Sequence, residues 1–242
     1  KSPNLLLPEE IWSRINCSLM GTRIYYYSIV DSTNTEAKKL ALSGAPSGSL
    51  VVAEGQTLGK GRMGREWSSP VGAGISASLI LRPDITPPEA PRITLLTAVA
   101  VAEAIREKVH IEAMIKWPND ILIQGKKVCG ILTEMSAEPD TVNYIIVGIG
   151  INVNNEEFPE KLKPIATSIK IAGGRVVSRA ELLAAILERM EYYYQSGFGS
   201  GFGKLLERWR ELCCNLGKPV KIIGRKESFN GTALGVDSDG AL

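Results

Sequence analysis

The sequence predicts an α+β layer architecture with a small β-rich tail, and three observations lead there. Runs of β-branched and aromatic residues are paired into hairpins by glycine turns. The amphipathic helical stretches are grouped between those runs. After residue 215 the composition shifts to short strands with N-G and D-G turns, the mark of a small, barrel-like β-domain.

Each element has a local reason. "PEEIWSRINCSL" (8–19) reads as a short helix with Pro8 near its start. "RIYYYSIV" (23–30) is a strand on its aromatic and β-branched content. "DSTNTEAKKLALSG" (31–44) opens on capping residues, continues as a helix and ends at Gly44. "SLVVAEGQ" (49–56) is a strand entering a glycine-rich loop, and "GISASLILRP" (74–83) is a strand leaving it. A long amphipathic helix follows at about 89–109. "MIKWPNDILIQGKKVCGILTEM" (114–135) reads as strand, turn, and a hairpin closed around Gly125. "TVNYIIVGIGINV" (141–153) reads as a buried strand broken by Gly148 and Gly150, with helices expected at about 178–195 and 202–214.

Composition sets limits on function. With 242 residues, 44% hydrophobic and 22% charged, the chain can bury a core for one large domain and a small second one. A net charge of +2 gives no large sequence-independent attraction to nucleic acid. No apolar run approaches the roughly 20 residues that span a bilayer, so no membrane partner is expected. Cys17, Cys129, Cys213 and Cys214 form no C-x-x-C motif and read as reduced thiols of a cytoplasmic protein. The one histidine, His110, sits at a helix end, an ordinary place for it, which leaves lysines, arginines and carboxylates to do any chemistry. The chain begins at Lys1 and stops at "SDGAL" inside an expected strand, so a fragment of a longer protein is expected.

The loop "GKGRMGREW" (59–67) spells G-x-G-x-x-G, yet two familiar readings fail. A dinucleotide fingerprint must open a helix whose N-terminus takes the pyrophosphate, and Pro70, Gly72 and Gly74 leave no room for one. A P-loop needs Lys then Ser or Thr, where this chain has Arg65 and Glu66. What remains is a cationic strand-to-strand loop. Its glycines let backbone N–H groups approach an anion, Lys60, Arg62 and Arg65 add charge, and Trp67 offers an aromatic face.

With these residues on the page, the chain resembles the biotin protein ligases. "DSTN" (31–34), "GKGRMGREWSSP" (59–70), "KWPNDILIQGKKVCGILTE" (116–134) and "VGIGINVN" (147–154) stand in that family's order and spacing. The resemblance implies a class II synthetase-like fold: a mixed, largely antiparallel central sheet with helices packed on it, plus a small C-terminal SH3-like β-barrel domain. The implied divisions are an N-terminal helix and linker over 1–20, a catalytic domain over 21–215 and the β-domain over 216–242, apparently incomplete.

It also implies an activity. Biotin and ATP are the substrates, with Mg²⁺; biotinyl-5′-AMP forms and is passed to a lysine of the biotin carboxyl carrier protein of acetyl-CoA carboxylase. Ser32, Thr33, Asn34 and Gln56 are expected to line the biotin pocket, their hydroxyls and amides suiting a ureido ring. Lys60, Gly61 and Arg62 match the segment that closes on biotin, with Lys60 departing from the family's usual arginine. Lys127 matches the lysine that contacts the biotin carboxylate and the α-phosphate, and Gly130 lets the strand approach biotin. Arg62, Arg65, Trp67, Lys116, Asn119, Asp120, Lys127 and Asn152 are expected on the ATP side. Asp120 is also a Mg²⁺ ligand candidate, and Lys127, Arg62 and Asp120 carry the chemistry. The family's dimers pair through a sheet edge, so a homodimer is expected. Two alternatives stay open: a lipoate ligase or related acyltransferase of the same fold, and a biotin-responsive DNA-binding repressor if a winged helix lies upstream. The chain as given has no nucleic-acid partner.

Overall fold

Alternation along the strands decides the architecture. The computed structural model describes residues 4–197, 201–224, 228–237 and 239–242. β1 (Ile24–Val30), β2 (Leu50–Gln56), β3 (Ile75–Leu81), β4 (Met114–Lys116), β5 (Asp120–Ile123), β6 (Lys126–Ala137) and β7 (Val142–Ile151) form one seven-stranded sheet, ordered β1-β2-β3-β7-β6-β5-β4. β1 runs parallel to β2, and each of the other neighbours is antiparallel. The fold is the mixed, largely antiparallel α+β layer that the sequence predicts.

Side chains two apart share a face. Ile75, Ala77, Leu79 and Leu81 of β3, with Ile145, Val147, Ile149 and Ile151 of β7, point into the main core. α3 (Pro91–Val109) lies on that face, and α5 (Arg179–Gly197) and α6 (Phe202–Leu212) pack on α3. On the other face, Val51, Ile80, Tyr144 and Ile146 meet Ala37 and Ala41 of α2 (Thr33–Leu42) in a smaller cluster. Farther along that face stand Ser76, Ser78, Gly148 and Gly150. The second face is therefore apolar at one end and polar and uncrowded at the other.

Several elements differ from expectation. α1 (Pro8–Trp12) stops well short of residue 19. The backbone N–H groups of Ser18, Leu19 and Met20, which a longer helix would use, donate instead to the Glu191 carboxylate of α5 at 2.7–2.8 Å. Burial works against that carboxylate, but these donors outweigh it and hold Glu191 below the usual carboxylate range. β7 runs unbroken through Gly148 and Gly150, because neither has a positive φ and both keep their ladder partners on β3 and β6. A short helix, α4 (Ile169–Gly173), was not expected; Ser168 caps it by accepting from Ile171 N at 3.0 Å.

The tail forms a second, two-stranded antiparallel sheet from β8 (Pro219–Ile223) and β9 (Ser228–Thr232). Residues beyond it return to the main body. Arg210 donates to Val236 O at 3.2 Å and Trp117 Nε1 to Gly240 O at 3.0 Å. Residues 1–3 of the expected linker, the 225–227 connection and Ser238 of the expected D-G turn lie outside the described residues. Among the described residues, no helix is long and apolar enough to cross a membrane.

One buried ion pair ties the frame together. Arg179, fully buried, reaches Glu54 Oε2 of β2 at 2.6 Å and donates to Gly74 O at 2.8 Å and Asn4 O at 3.1 Å. Glu54 Oε1 accepts Leu6 N at 2.7 Å, and Glu54 O accepts Gly72 N at 3.0 Å. The pair thus joins the N-terminal segment, β2, the start of β3 and α5. Removing one partner strands a charge without solvent, which costs about 3–5 kcal/mol. Arg179→Met is expected to lower unfolding free energy by that amount in urea titrations, and Arg179→Met with Glu54→Leu to recover at least half. A single variant as stable as the parent would show that the pair does not hold the frame.

Candidate active site

The cleft lies on the polar end of the second sheet face. Its floor is a set of buried and half-buried hydroxyls and amides brought together from four parts of the chain. Thr33 N donates to Gln56 Oε1 at 2.8 Å, and Gln56 Nε2 to Ser69 Oγ at 3.0 Å. Ser78 Oγ lies 2.8 Å from Thr33 Oγ1 and 2.6 Å from Asn34 Oδ1. Ser32 occupies the N-cap position of α2, yet its side chain makes no capping bond and lines the cleft instead. Gly148 is needed here, since a Cβ would fall 2.9 Å from Asn34 Cγ.

Lys127 supplies the charge. Its ammonium pairs with Asp120 Oδ1 at 2.6 Å and stands 5.5 Å from the centre of the Trp67 ring. The β5–β6 register shifts so that Ile121 pairs with Cys129 but Leu122 with Lys127, a bulge that aims Lys127 into the cleft. The backbone on its other side is pinned, with Lys127 N donating to Ile165 O at 2.8 Å and Thr167 N to Lys127 O at 2.9 Å. Gly130 leaves room for this side chain: a Cβ would stand 3.1 Å from Lys127 Nζ and 3.3 Å from Trp67. Lys126 is exposed and turns away to Lys163 O at 2.9 Å, as strand alternation predicts.

No helix follows the glycine loop; it carries a single 3₁₀ turn over Arg62–Gly64. It folds as a small hairpin, closed by Trp67 N to Gly59 O at 2.8 Å and Gly61 N to Arg65 O at 2.7 Å. Lys60 Nζ reaches Thr35 Oγ1 at 2.9 Å, and Arg62 reaches Asn119 Oδ1 at 3.1 Å. Trp67 lies flat on β7, where a Cβ on Gly150 would stand 2.6 Å from its indole.

Ser32, Thr33, Asn34, Gln56, Lys60, Gly61, Arg62, Arg65, Trp67, Asn119, Asp120, Lys127 and Gly130 all line one cavity of about 130 Å³. It continues beneath the loop into an open groove bounded by Leu132, Glu134, Pro159, Lys161 and Leu162. Two expected residues are not among its lining. Lys116 is exposed on β4, opposite Asp120 in the ladder. Asn152 is buried behind the cleft, donating to Thr167 O at 3.1 Å and to Val128 O through its backbone at 2.8 Å. It steadies the segment that pins Lys127. Sequence reasoning missed Ser69, Ser76, Ser78, Glu134 and the 159–162 wall. The S-x-S alternation in "ISASLIL" was the available signal, two hydroxyls on one face of an otherwise apolar strand.

Thiol and imidazole chemistry find no footing. Burial pushes the Cys17 thiol up to about 12, with Glu191 and Glu188 adding to it, and burial likewise raises Cys129, Cys213 and Cys214. His110 is exposed at the C-cap of α3. Among the described residues, no three His, Cys, Asp or Glu side chains gather to hold a metal ion.

Residues 25–152 match the family model described as the biotin/lipoate A/B protein ligase family. The bifunctional ligase/repressor BirA of Bacillus subtilis is 44% identical over 244 residues, covering the whole of this chain and 75% of that protein. The chain belongs to the biotin protein ligases of this family. The biotin--[acetyl-CoA-carboxylase] ligase of Paracoccus denitrificans is 33% identical over 217 residues, covering 88% of this chain and 90% of that one. The solved biotin protein ligase from Aquifex aeolicus in complex with biotin and ATP superposes with a TM-score of 0.78 at 32% identity, covering 90% of each chain.

In this ligase the seating of Trp67 on Gly150 has a direct consequence. Gly150→Ala is expected to swing the indole off β7 into solvent, with unfolding free energy changed by less than about 1–3 kcal/mol because the loop yields. Acrylamide quenching of tryptophan emission should rise relative to the parent, and the rise should vanish in a Trp67→Phe background. Unchanged quenching would mean that Trp67 does not rest on β7.

Proposed function

We infer that this ligase activates biotin with ATP as biotinyl-5′-AMP and passes the biotinyl group to a lysine of a biotin carboxyl carrier protein of acetyl-CoA carboxylase. The observation that carries the reading is the Lys127 ammonium fixed at one end of a floor of hydroxyls and amides. The floor offers donors and acceptors to a ureido ring, whereas the dithiolane of a lipoyl group has neither to match them.

The chemistry follows from charge. A biotin carboxylate oxygen attacks the α-phosphorus of ATP, the bond to the β-phosphate oxygen breaks, and pyrophosphate leaves. Two anions must meet in line, and Lys127 beside them relieves the repulsion most as charge builds in the transition state. Arg62 and Arg65 add cations from the loop, and ATP is assigned to the groove between that loop and Pro159–Leu162. The carrier lysine then attacks the acyl carbon and AMP leaves; Asp120, already orienting Lys127, takes the proton lost by the amine. Asp120 is the residue that would hold a Mg²⁺ accompanying ATP, and that ion would supply charge neutralisation at the phosphates.

Assembly and setting complete the proposal. β5 pairs with β6 only as far as Gly130, so Leu132–Ala137 are laddered on the β7 side alone among the described residues. An open edge of this kind is a pairing surface, and a homodimer forms through it. Sedimentation with biotin and ATP should show a dimer for the parent and a monomer for Met135→Pro, where Met135 is half exposed on that edge. A monomeric parent at high concentration would defeat this. Free thiols suit a reducing, cytoplasmic setting. The net charge of +2 favours no nucleic-acid partner for this chain.

Lys127 gives the decisive test. Lys127→Gln should cut adenylate formation by about 10²–10³, the usual cost of losing such a contact, while Lys126→Gln stays within about threefold of the parent because it faces away. Supplied with biotinyl-5′-AMP, Lys127→Gln should recover a larger share of normal transfer than it shows from biotin and ATP. A harmless Lys127→Gln would sink the assignment.

A further inference from the structure

The hydrogen bonds of the cleft floor form a chain whose sense is set from one end. There, Asn34 Nδ2 faces two groups that can only accept: the Glu134 carboxylate at 2.7 Å and the Leu132 carbonyl at 3.3 Å. The amide is thereby locked with Oδ1 toward Ser78, whose hydroxyl donates to it across 2.6 Å. A hydroxyl has one proton. Ser78 therefore has none for Thr33 Oγ1, 2.8 Å away. Thr33 in turn faces two acceptors on the protein side, Ser78 Oγ and Gln56 Oε1, the latter at 3.1 Å. Ser78 Oγ is the nearer, and Gln56 Oε1 already accepts Thr33 N at 2.8 Å, so the Thr33 proton goes to Ser78 and only lone pairs remain for the cleft.

The far end of the chain gives the complementary sign. Gln56 Nε2 donates toward Ser69 Oγ at 3.0 Å and Ser76 Oγ at 3.4 Å. Those two hydroxyls lie 3.0 Å apart, so one donates to the other and a single proton is left over. The floor thus presents an acceptor at Thr33, the sign that fits a ring N–H; the leftover proton lies with Ser69, on the wall of the adjoining groove, and Ser76, which lines neither space.

We propose that Ser78, oriented by Asn34 and Glu134, is a positioning residue that makes Thr33 an acceptor and so selects acids whose ring carries an N–H donor. This rests on the reading of the protein as a biotin ligase. Ser78 is fully buried and lines neither the cleft nor the groove. It acts through Thr33 and Asn34, and Gly148 permits the arrangement by leaving space for the Asn34 amide.

The test compares two acids in adenylate formation: biotin, and the tetrahydrothiophene pentanoic acid that keeps the sulfur ring and carboxylate but lacks the ureido group. Ser78→Ala should raise KM for biotin about tenfold, the effect of one buried hydrogen bond, with kcat nearly unchanged. KM for the ring-deficient acid should not move. Equal losses on both acids, or no loss on biotin, would overturn the proposal, since a merely structural role lowers both. Should Ser78→Ala fail to fold, Glu134→Leu, at an exposed position, frees the same chain at its origin and should weaken biotin alone by about threefold. Equal loss on both acids, or none, would again overturn it. A parent that forms no biotinyl adenylate sinks the ligase reading itself, and this proposal with it.

Discussion

The ion pair between Lys127 and Asp120 is the contact on which the rest of the site depends. A half-buried ammonium needs a partner and a fixed direction, or it turns to solvent and the cleft loses its charge. Much of the local backbone serves that end. A bulge in β6 aims the side chain, Gly130 clears its path, and the 165–167 segment pins its backbone. Trp67 reaches it from the loop, so the loop and the strands of the site meet at this one group. Asn152, at one remove, holds the pinning segment in place.

The sheet solves a second problem, which is to bury a polar surface beside an apolar one without weakening the core. Its first face is apolar along the full length of β3 and β7. Its second face changes character midway, from Ile80 and Ile146 to Ser76, Ser78, Gly148 and Gly150. Small residues at that end leave room for Asn34 and Trp67 to lie on the strands, and the hydroxyls satisfy one another and their neighbours. Buried polar groups are tolerable only when partnered in this way. Ser32 shows the accompanying trade, standing at a helix N-cap without forming the capping bond.

Some of the site was legible from local pattern. Lys127 against Lys126 followed from strand alternation, and the failure of the glycine loop to open a helix followed from Pro70 and the glycines after it. Gly130, expected to let the strand approach a ligand, lines the cleft and also leaves room for Lys127 and Trp67. Lys116 and Asn152 sat in the right motifs yet line no part of the cavity, Lys116 standing exposed opposite Asp120 and Asn152 buried against Thr167, because a motif gives proximity along the chain and not which groups border a cleft. α1 ended early for a similar reason: Glu191, far along the chain, competes for its backbone donors.

What the sequence by itself determined is the set of elements, the cationic character of the loop, and the presence of adjacent lysines on a strand, pointing to opposite faces. These rest on interactions within a few residues: propensity, alternation and turn chemistry. Only the tertiary structure decided which polar residues share the floor, that Arg179 neutralises Glu54, and that Glu134, Asn34, Ser78 and Thr33 form one directed chain. The bonded partners in the ion pair and in this chain lie between 44 and 125 positions apart. A hydrogen bond's direction depends on every proton along its network, and no local pattern records which neighbours a folded sheet will bring together.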